Sequence, residues 1–307
     1  MIIYKYLDQI GAIKTIKGNS VVLREPEEFN DPFDCKFYSD SEEKDRAFDL
    51  FLNWKIFELF YNELIRSSSK DSLRTKLLKK RLQSIAKNIK ETKAYSRQPD
   101  IDIYLTIGMK KLGYNKSALK KEFDKMIDNV YTRMRRIALV SCFGSSFDSV
   151  LMWSHYAEKH RGVCIEYEIE DKDFKMVNYS EIVPNFELTR LLSIIFGHTF
   201  LKEDPDTEKD EYQFALEPIL TKSKDWEYEG EVRCVYSKNK PNNRIYDGKD
   251  KEGRPIKLLD MAVPIKRIFV GCKADKEFVN ELKNIAGDVP IVKMEMSDTE
   301  YKVFAKD

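Results

Sequence analysis

The chain has 307 residues, a length that fits one large domain or one domain with an insertion. It carries 53 Lys and Arg against 52 Asp and Glu, and 42% of its residues are hydrophobic. These values exclude a disordered tail, a collagen-like chain and a protein that is basic throughout. Because no run of about eighteen apolar residues is present, the sequence predicts no membrane span and no membrane partner.

Five cysteines are scattered through the chain, with no C-x-x-C pair and no histidine cluster nearby. This pattern argues against zinc, and we expect no metal. An odd, scattered set is typical of a reducing compartment, where cysteine acts as a small buried hydrophobe. The opening residues contain no signal-peptide core, so we expect a cytoplasmic protein.

The chain opens with short strands and one helix. Strands are predicted at 2–7 and 20–24, with a helix at 8–17 between them. In the loop at 25–34 the two prolines, Pro26 and Pro32, argue against any regular element.

Long helices follow, from about residue 41 to residue 136. Apolar residues recur there at helical spacing, which predicts helices at 43–66, 71–93, 100–112 and 116–136. This stretch is interpreted as an all-helical insertion, 41–136, in a discontinuous core domain made of 1–40 and 137–307.

Positive charge is concentrated in two parts of the insertion. Residues 70–93 hold nine Lys and Arg and two acidic residues, and residues 110–136 hold nine and three. Either these helices present an ordinary solvated face, or they form a basic surface for nucleic acid or an acidic protein.

Strand-like segments return after the insertion and predict an α+β fold with a mixed or antiparallel sheet. Strands are predicted at 138–143, 163–169, 176–180, 256–263, 267–272, 290–296 and 300–304, with helices at 145–162 and 274–286. Residues 186–220 are interpreted as helix with an acidic loop, and 226–236 as a turn that leads into a strand.

The first two candidate segments lie near the N-terminus. In Tyr4-Lys5-Tyr6 the tyrosines share one face of a strand and Lys5 takes the other, which suits edge packing or a ligand pocket. In Phe29-Asn30-Asp31-Pro32-Phe33-Asp34, the two carboxylates Asp31 and Asp34 either lock the loop by hydrogen-bonding to its own backbone, or the loop faces a ligand.

The other two candidate segments lie in the second half of the chain. In Met152-Trp153-Ser154-His155-Tyr156, Trp153 and Tyr156 are neighbours on a helix, while His155 lacks a matched nucleophile and acid for a catalytic triad. In the segment 226–233, Glu229, Glu231 and Arg233 either face solvent from one strand face or form a carboxylate pair that the arginine keeps ionised. Gly230 is interpreted as a point where a ligand could approach the backbone.

Together these motifs resemble a bacterial family catalogued only as a domain of unknown function. Its members carry Y-K-Y, F-N-D-P-F-D, M-W-x-x-Y-A-x-x-H-x-G-x-C-I-E-Y and W-x-Y-E-x-E-x-R in this order. The motifs stand here at 4–6, 29–34, 152–167 and 226–233.

The order of elements is also similar to that of the ADP-ribosyltransferase fold. That resemblance implies NAD as substrate, with Glu231 on the ribose 2′-hydroxyl and beside an oxocarbenium-like transition state. It implies that Glu229 orients or deprotonates the acceptor and that Tyr156 stacks on nicotinamide. The remaining residues implied to bind NAD are Tyr4, Lys5, Tyr6, Asn30, Asp31, Trp153, Ser154 and Arg233.

Such an enzyme would serve as a bacterial toxin or a phage-defence effector. The basic helices at 70–93 and 110–136 would bring a nucleic-acid or protein acceptor, and an antitoxin or another defence protein would be a partner. Two other readings stay open: a non-enzymatic module that binds nucleic acid or protein, and a metal-dependent hydrolase or nuclease that uses Asp31, Asp34, Glu229 and Glu231.

Overall fold

The computed structural model divides the chain into two compact units. It describes residues 1–66, 73–91, 116–170, 172–201, 214–250 and 252–306. The first unit comprises Met1–Lys36, Arg135–Val183 and Glu217–Asp307, and the second comprises Phe37–Met134 and Pro184–Leu216.

An eight-stranded sheet forms the centre of the first unit. In spatial order its strands are β13 (Val303–Ala305), β12 (Ile291–Met296), β11 (Ile265–Val270), β4 (Val163–Glu168), β1 (Ile2–Leu7), β3 (Ala138–Gly144), β8 (Glu231–Ser237) and β5 (Phe174–Met176). Neighbouring strands are antiparallel except β11 and β12, which are parallel. The sheet is therefore mixed, and the predicted α+β class is confirmed at that level.

Two smaller sheets complete the first unit. One contains β2 (Ser20–Leu23), β10 (Pro255–Asp260) and β9 (Ile245–Lys249), and the other is the parallel pair β6 (Asn178–Ser180) and β7 (Thr221–Ser223). Strands β5, β7 and β9 have no counterpart among the predicted strands, because three to five residues carry too little hydrophobic periodicity.

Helices cover both faces of the large sheet. On one face α1 (Gln9–Gly18) and α7 (Lys276–Ile285) join the main apolar core, and on the other α5 (Val150–Tyr156) packs against Tyr4 and Tyr6. Every residue of β8 is buried. Charged side chains on that strand must therefore find partners inside the protein.

The second unit is helical in the part that the structure describes. Its helices are α2 (Ser41–Arg66), α3 (Leu73–Lys90), α4 (Lys116–Arg136, whose last two residues belong to the first unit) and α6 (Leu188–Leu201). Aromatic rings fill its interior, for example Phe48 against Phe123 at 5.2 Å between ring centroids. The unit also takes in Pro184–Leu216, which the sequence analysis assigned to the core domain, since α6 packs on α2.

Several predicted elements differ from those observed. The helix predicted at 145–162 is only α5, because Ser149 caps it by accepting a hydrogen bond from the Met152 amide, and left-handed residues follow from Glu158. The loop at 25–34 holds a short 3₁₀-helix, Pro26–Glu28, which Pro26 can begin because the first helical residue needs no N–H donor. The helix predicted at 100–112 lies outside the described residues.

None of the helices in the described ranges combines the length and the apolar character needed to cross a membrane.

Candidate functional site

The turn Glu229-Gly230-Glu231 places two carboxylates at the start of β8. A 3₁₀-helix, Lys224–Glu229, ends at Gly230, whose φ of 49° is left-handed and suits glycine. A Cβ at this position would overlap the Ser145 hydroxyl. The left-handed turn thus favours glycine at 230, and the interpretation that a ligand approaches the backbone here stays a prediction.

Lys222 joins the two carboxylates. Its ammonium donates to Glu229 Oε2 at 2.5 Å and to Glu231 Oε2 at 3.0 Å. Asp34 Oδ2 lies 3.8 Å from the same nitrogen. All four residues are buried, so Lys222 is the shared counter-charge of three carboxylates that water does not screen.

Of the three carboxylates around Lys222, Arg233 binds two, Glu231 and Asp34. Its guanidinium donates to both oxygens of Glu231, at 2.8 and 3.1 Å, and to Asp34 Oδ2 at 2.7 Å. It also donates to the Ile219 carbonyl at 2.6 Å and lies over the Phe29 ring. Arg233 has 0% exposure, so the solvent-facing alternative for this charge is wrong.

The two glutamates are held in opposite ionisation environments. Burial raises the pKa of Glu231, but Arg233 and then Lys222 outweigh it and lower that pKa to about 2. Burial raises the pKa of Glu229 above its ordinary value, although Lys222 and Tyr156 favour the charged form. The difference arises because Arg233 contacts Glu231 and makes no hydrogen bond to Glu229 among the described residues.

Partly exposed aromatic side chains lie beside these charged residues. The Tyr156 hydroxyl donates to Glu229 Oε1 at 2.6 Å, and its ring is only half-buried. Tyr228 and Trp226 are also half-buried, with ring centroids 6.0 Å apart, and the exposed His155 ring lies 6.4 Å from Tyr228. Glu229 is therefore the carboxylate nearest to a partly exposed, ring-lined side.

In β1, Tyr4 and Tyr6 lie on one face of the sheet and Lys5 lies on the other, as the alternation of side chains along a strand requires. Tyr4 packs on Phe147 at 5.7 Å, and the Tyr6 hydroxyl donates to the Ser146 carbonyl at 2.9 Å. Lys5 points to the opposite face and donates to the Cys142 carbonyl at 2.7 Å, and burial lowers its pKa. The structure thus does not bring Lys5 together with the tyrosines.

Tyr4 lies in register with the start of β8. It pairs with Gly144 on β3, and Gly144 pairs with Glu231. Burial and the neighbouring Glu166 raise the pKa of Tyr4 to about 12.

Three of the other candidate residues, Asp31, Trp153 and Ser154, have structural partners. Asn30 is exposed, and Asp31 accepts from the Phe33 amide at 2.8 Å within its own loop. Trp153 is fully buried and donates to the Phe147 carbonyl at 2.7 Å. Ser154 is hydrogen-bonded to the Val150 carbonyl and lies 3.0 Å from His160 Nε2.

The motif at 152–167, here called the central motif, therefore contains residues of two kinds. Trp153 and Ala157 are fully buried, and Gly162 has no room for a side chain because a Cβ would overlap the Leu7 carbonyl oxygen. Of the motif's side chains, Tyr156 is the one that donates to a site carboxylate in the described structure.

Sequence reasoning missed two members of the group. Lys222 lies in a three-residue strand and carried no signal, while Tyr179, whose hydroxyl accepts from the Glu231 amide at 2.7 Å, lies in another. Asp34 belonged to a recognised motif, but its role depends on Arg233, which is distant in sequence.

The arrangement of the carboxylates also bears on metal binding. Within the described ranges no group of three or more His, Cys, Asp or Glu is arranged to hold a metal ion. Asp34, Glu229 and Glu231 converge on the Lys222 ammonium, which already supplies positive charge at the point where their oxygens meet.

One comparison with known proteins gave a match. The sequence model of a family described as "Protein of unknown function (DUF2971)" matches residues 152–234. That range begins at Met152 of the central motif and ends at Cys234, one residue after Arg233. No curated protein and no solved structure matches the chain.

Proposed function

We propose that this chain is an NAD-consuming enzyme that transfers ADP-ribose to an acceptor, on a fold related to that of ADP-ribosyltransferases. One observation carries the proposal. Glu229 and Glu231 share the Lys222 ammonium, yet Arg233 holds Glu231 ionised while burial raises the pKa of Glu229. Two carboxylates with separated ionisation are the pattern of a charge stabiliser beside a proton-transfer group.

Glu231 is the charge stabiliser in this mechanism. As the bond between ribose C1′ and the nicotinamide nitrogen breaks, its electron pair leaves with neutral nicotinamide and positive charge develops at C1′. A carboxylate that remains ionised can stabilise this charge and accept a hydrogen bond from the 2′-hydroxyl. The rigid contacts of Arg233 hold Glu231 in place for this role.

Glu229 is the general base. The acceptor oxygen or nitrogen forms the new bond to C1′ and passes its proton to Glu229. A raised pKa brings a carboxylate closer to neutral pH, where it accepts a proton most effectively. The hydrogen bond from Tyr156 fixes one oxygen of Glu229 on the partly exposed side.

The surroundings suit a cationic ring. With all groups ionised, the three carboxylates outnumber Lys222 and Arg233, so the group carries one net negative charge. Tyr156, Tyr228 and Trp226 offer half-exposed aromatic faces beside it. Aromatic faces attract cations, and the pyridinium ring of oxidised NAD is both planar and positively charged.

The test is release of nicotinamide from NAD in the presence of cell extract or RNA. Wild type is expected to release it, and Glu231→Gln is expected to lose at least about 100-fold of the rate, as enzymes lose when a stabilising group is removed. Glu227→Gln is the matched control, because Glu227 is an exposed glutamate on the 3₁₀-helix that precedes Glu231. Labelled NAD then identifies the acceptor.

Two results would overturn the proposal. One is wild-type protein that neither turns over NAD nor binds it in calorimetry. The other is Glu231→Gln protein that is folded by circular dichroism and keeps full activity.

A further inference from the structure

The exposed face of α3 carries a line of lysines. The helix contains seven Lys and Arg and no Asp or Glu. Lys76, Lys80 and Lys87 are all exposed. Their spacings of four and seven residues put them in one row along a helix with 3.6 residues per turn.

The opposite face of α3 is occupied by the interior of its own unit. Leu82, Ile85 and Ala86 are at most 8% exposed. The helix is therefore held by its apolar face and presents its lysines outward. Lys76 and Lys80 make no ion pair among the described residues, and Lys87 makes a loose one, at 3.7 Å, with Glu91.

The second basic helix differs in this respect. Three acidic residues are interspersed in α4, and Lys120 pairs with Asp124 at 3.2 Å. Arg136, at its end, pairs with Glu27 at 2.9 Å. Positive charge is thus partly neutralised on α4 and concentrated on α3.

We propose that the Lys76–Lys80–Lys87 row binds the phosphate backbone of a nucleic-acid duplex. At a rise of 1.5 Å per residue the row spans about 16 Å, long enough to contact several consecutive phosphates. Lysine is a compact charge that contacts phosphate without reading sequence. The helix has no aromatic residue on which unpaired bases could stack, which favours a duplex over a single strand.

A membrane surface is the weaker alternative. A helix that lies in a lipid interface buries its apolar face in the lipid, whereas the apolar face of α3 is buried in the protein. Two exposed leucines, Leu73 and Leu77, lie at the N-terminal end of the row, so anionic vesicles belong in the test. This surface is independent of the proposed NAD chemistry.

The experiment measures binding of the full chain to fluorescent 20-base-pair RNA and DNA duplexes by anisotropy, between 50 and 200 mM KCl. Three phosphate contacts predict a slope of about −2.7 in log K against log salt, or roughly a 40-fold loss over this range. The variant Lys76→Gln/Lys80→Gln/Lys87→Gln is expected to lose most of this binding and of its salt dependence. The control Lys44→Gln/Lys121→Gln/Lys125→Gln removes the same charge from exposed lysines elsewhere in the second unit and is expected to bind like wild type.

Three outcomes contradict the proposal. The first is that the variant of the lysine row binds as tightly as wild type. The second is that both triple variants lose affinity equally, which would mean that net charge, and not the row, determines binding. The third is wild-type protein that binds phosphatidylserine vesicles through the row but binds neither duplex. Melting curves of both variants confirm that the second unit is folded.

Discussion

Replacing Lys222 by methionine tests whether one ammonium holds the site together. Methionine keeps a long unbranched side chain but removes the charge, leaving Glu229 and Glu231 buried without their shared cation. Lys222 is itself buried, so solvent screening does little to weaken these ion pairs.

The size of the effect follows from the distances. Unit charges 3.0 Å apart in an effective dielectric of about 20 attract by roughly 5–6 kcal/mol, and part of this offsets the desolvation of the ammonium. Removing one partner of a buried ion pair costs about 3–5 kcal/mol. We expect Lys222→Met to lower the free energy of unfolding of the first unit by that amount at pH 7.5.

The loss should shrink as the pH falls. Burial already raises the pKa of Glu229 in the folded state, and removing Lys222 raises it further. A carboxyl whose pKa is higher in the folded than in the unfolded state destabilises the protein fully at any pH above its folded-state pKa. This destabilisation decreases as the pH falls and the carboxyl becomes protonated. The difference between variant and wild type is therefore expected to be smaller at pH 5 than at pH 7.5.

The assay is urea unfolding followed by tryptophan fluorescence in a Trp54→Phe background. The two remaining tryptophans, Trp153 and Trp226, both belong to the first unit. Lys224→Met is the matched control, because Lys224 is an exposed lysine two residues away whose ion pair with Glu181 is also exposed, and it should cost at most about 1 kcal/mol.

A double variant makes the reasoning refutable. Adding Glu229→Gln to Lys222→Met removes one uncompensated charge and should restore about 1–3 kcal/mol, a coupling that a double-mutant cycle measures. The reasoning is refuted if Lys222→Met costs no more than Lys224→Met, or if its cost does not depend on pH.

Three further predictions concern the same unit. The rate of NAD turnover should fall as the pH drops through the raised pKa of Glu229, and this decline on the acid side of the pH profile should be absent from Glu229→Gln. If the variant keeps the decline, a group other than Glu229 causes it. Arg233→Met should cost about 3–5 kcal/mol of unfolding free energy because Glu231 and Asp34 lose their shared partner, and a cost below about 1 kcal/mol in urea unfolding would contradict the geometry. Gly162→Ala should lower the free energy of unfolding by about 1–3 kcal/mol because the new Cβ meets the Leu7 carbonyl. Gly253→Ala has open space around it and should cost only about 1 kcal/mol, from its left-handed backbone. Equal losses of stability in melting experiments would contradict the packing argument.

Much of the fold can be read from the sequence because its signals are local. The apolar run of β3, the alternation in β4 and the helical spacing in α2 and α4 each depend on residues only a few positions apart. The charge excess of the helical stretch is likewise visible from composition. The clustering of Glu229, Glu231, Arg233 and Tyr156 as candidates also came from short motifs.

What the sequence could not give is the pairing of distant residues. Lys222 lies in a three-residue strand that carries no periodic signal, and Tyr179 lies in the strand predicted at 176–180 without a signal for its partner. Only tertiary packing places them against Glu231. Asp34 and Arg233 are separated by 199 positions, yet their side chains meet at 2.7 Å.

The ionisation of the site is therefore a tertiary property. The sequence by itself determined which residue types are available: two glutamates, an arginine and a tyrosine in recognisable motifs. Only the fold decided that Arg233 binds Glu231 and that Lys222 is shared, because burial and distances of about 3 Å set the pKa values, and neither is encoded in spacing along the chain.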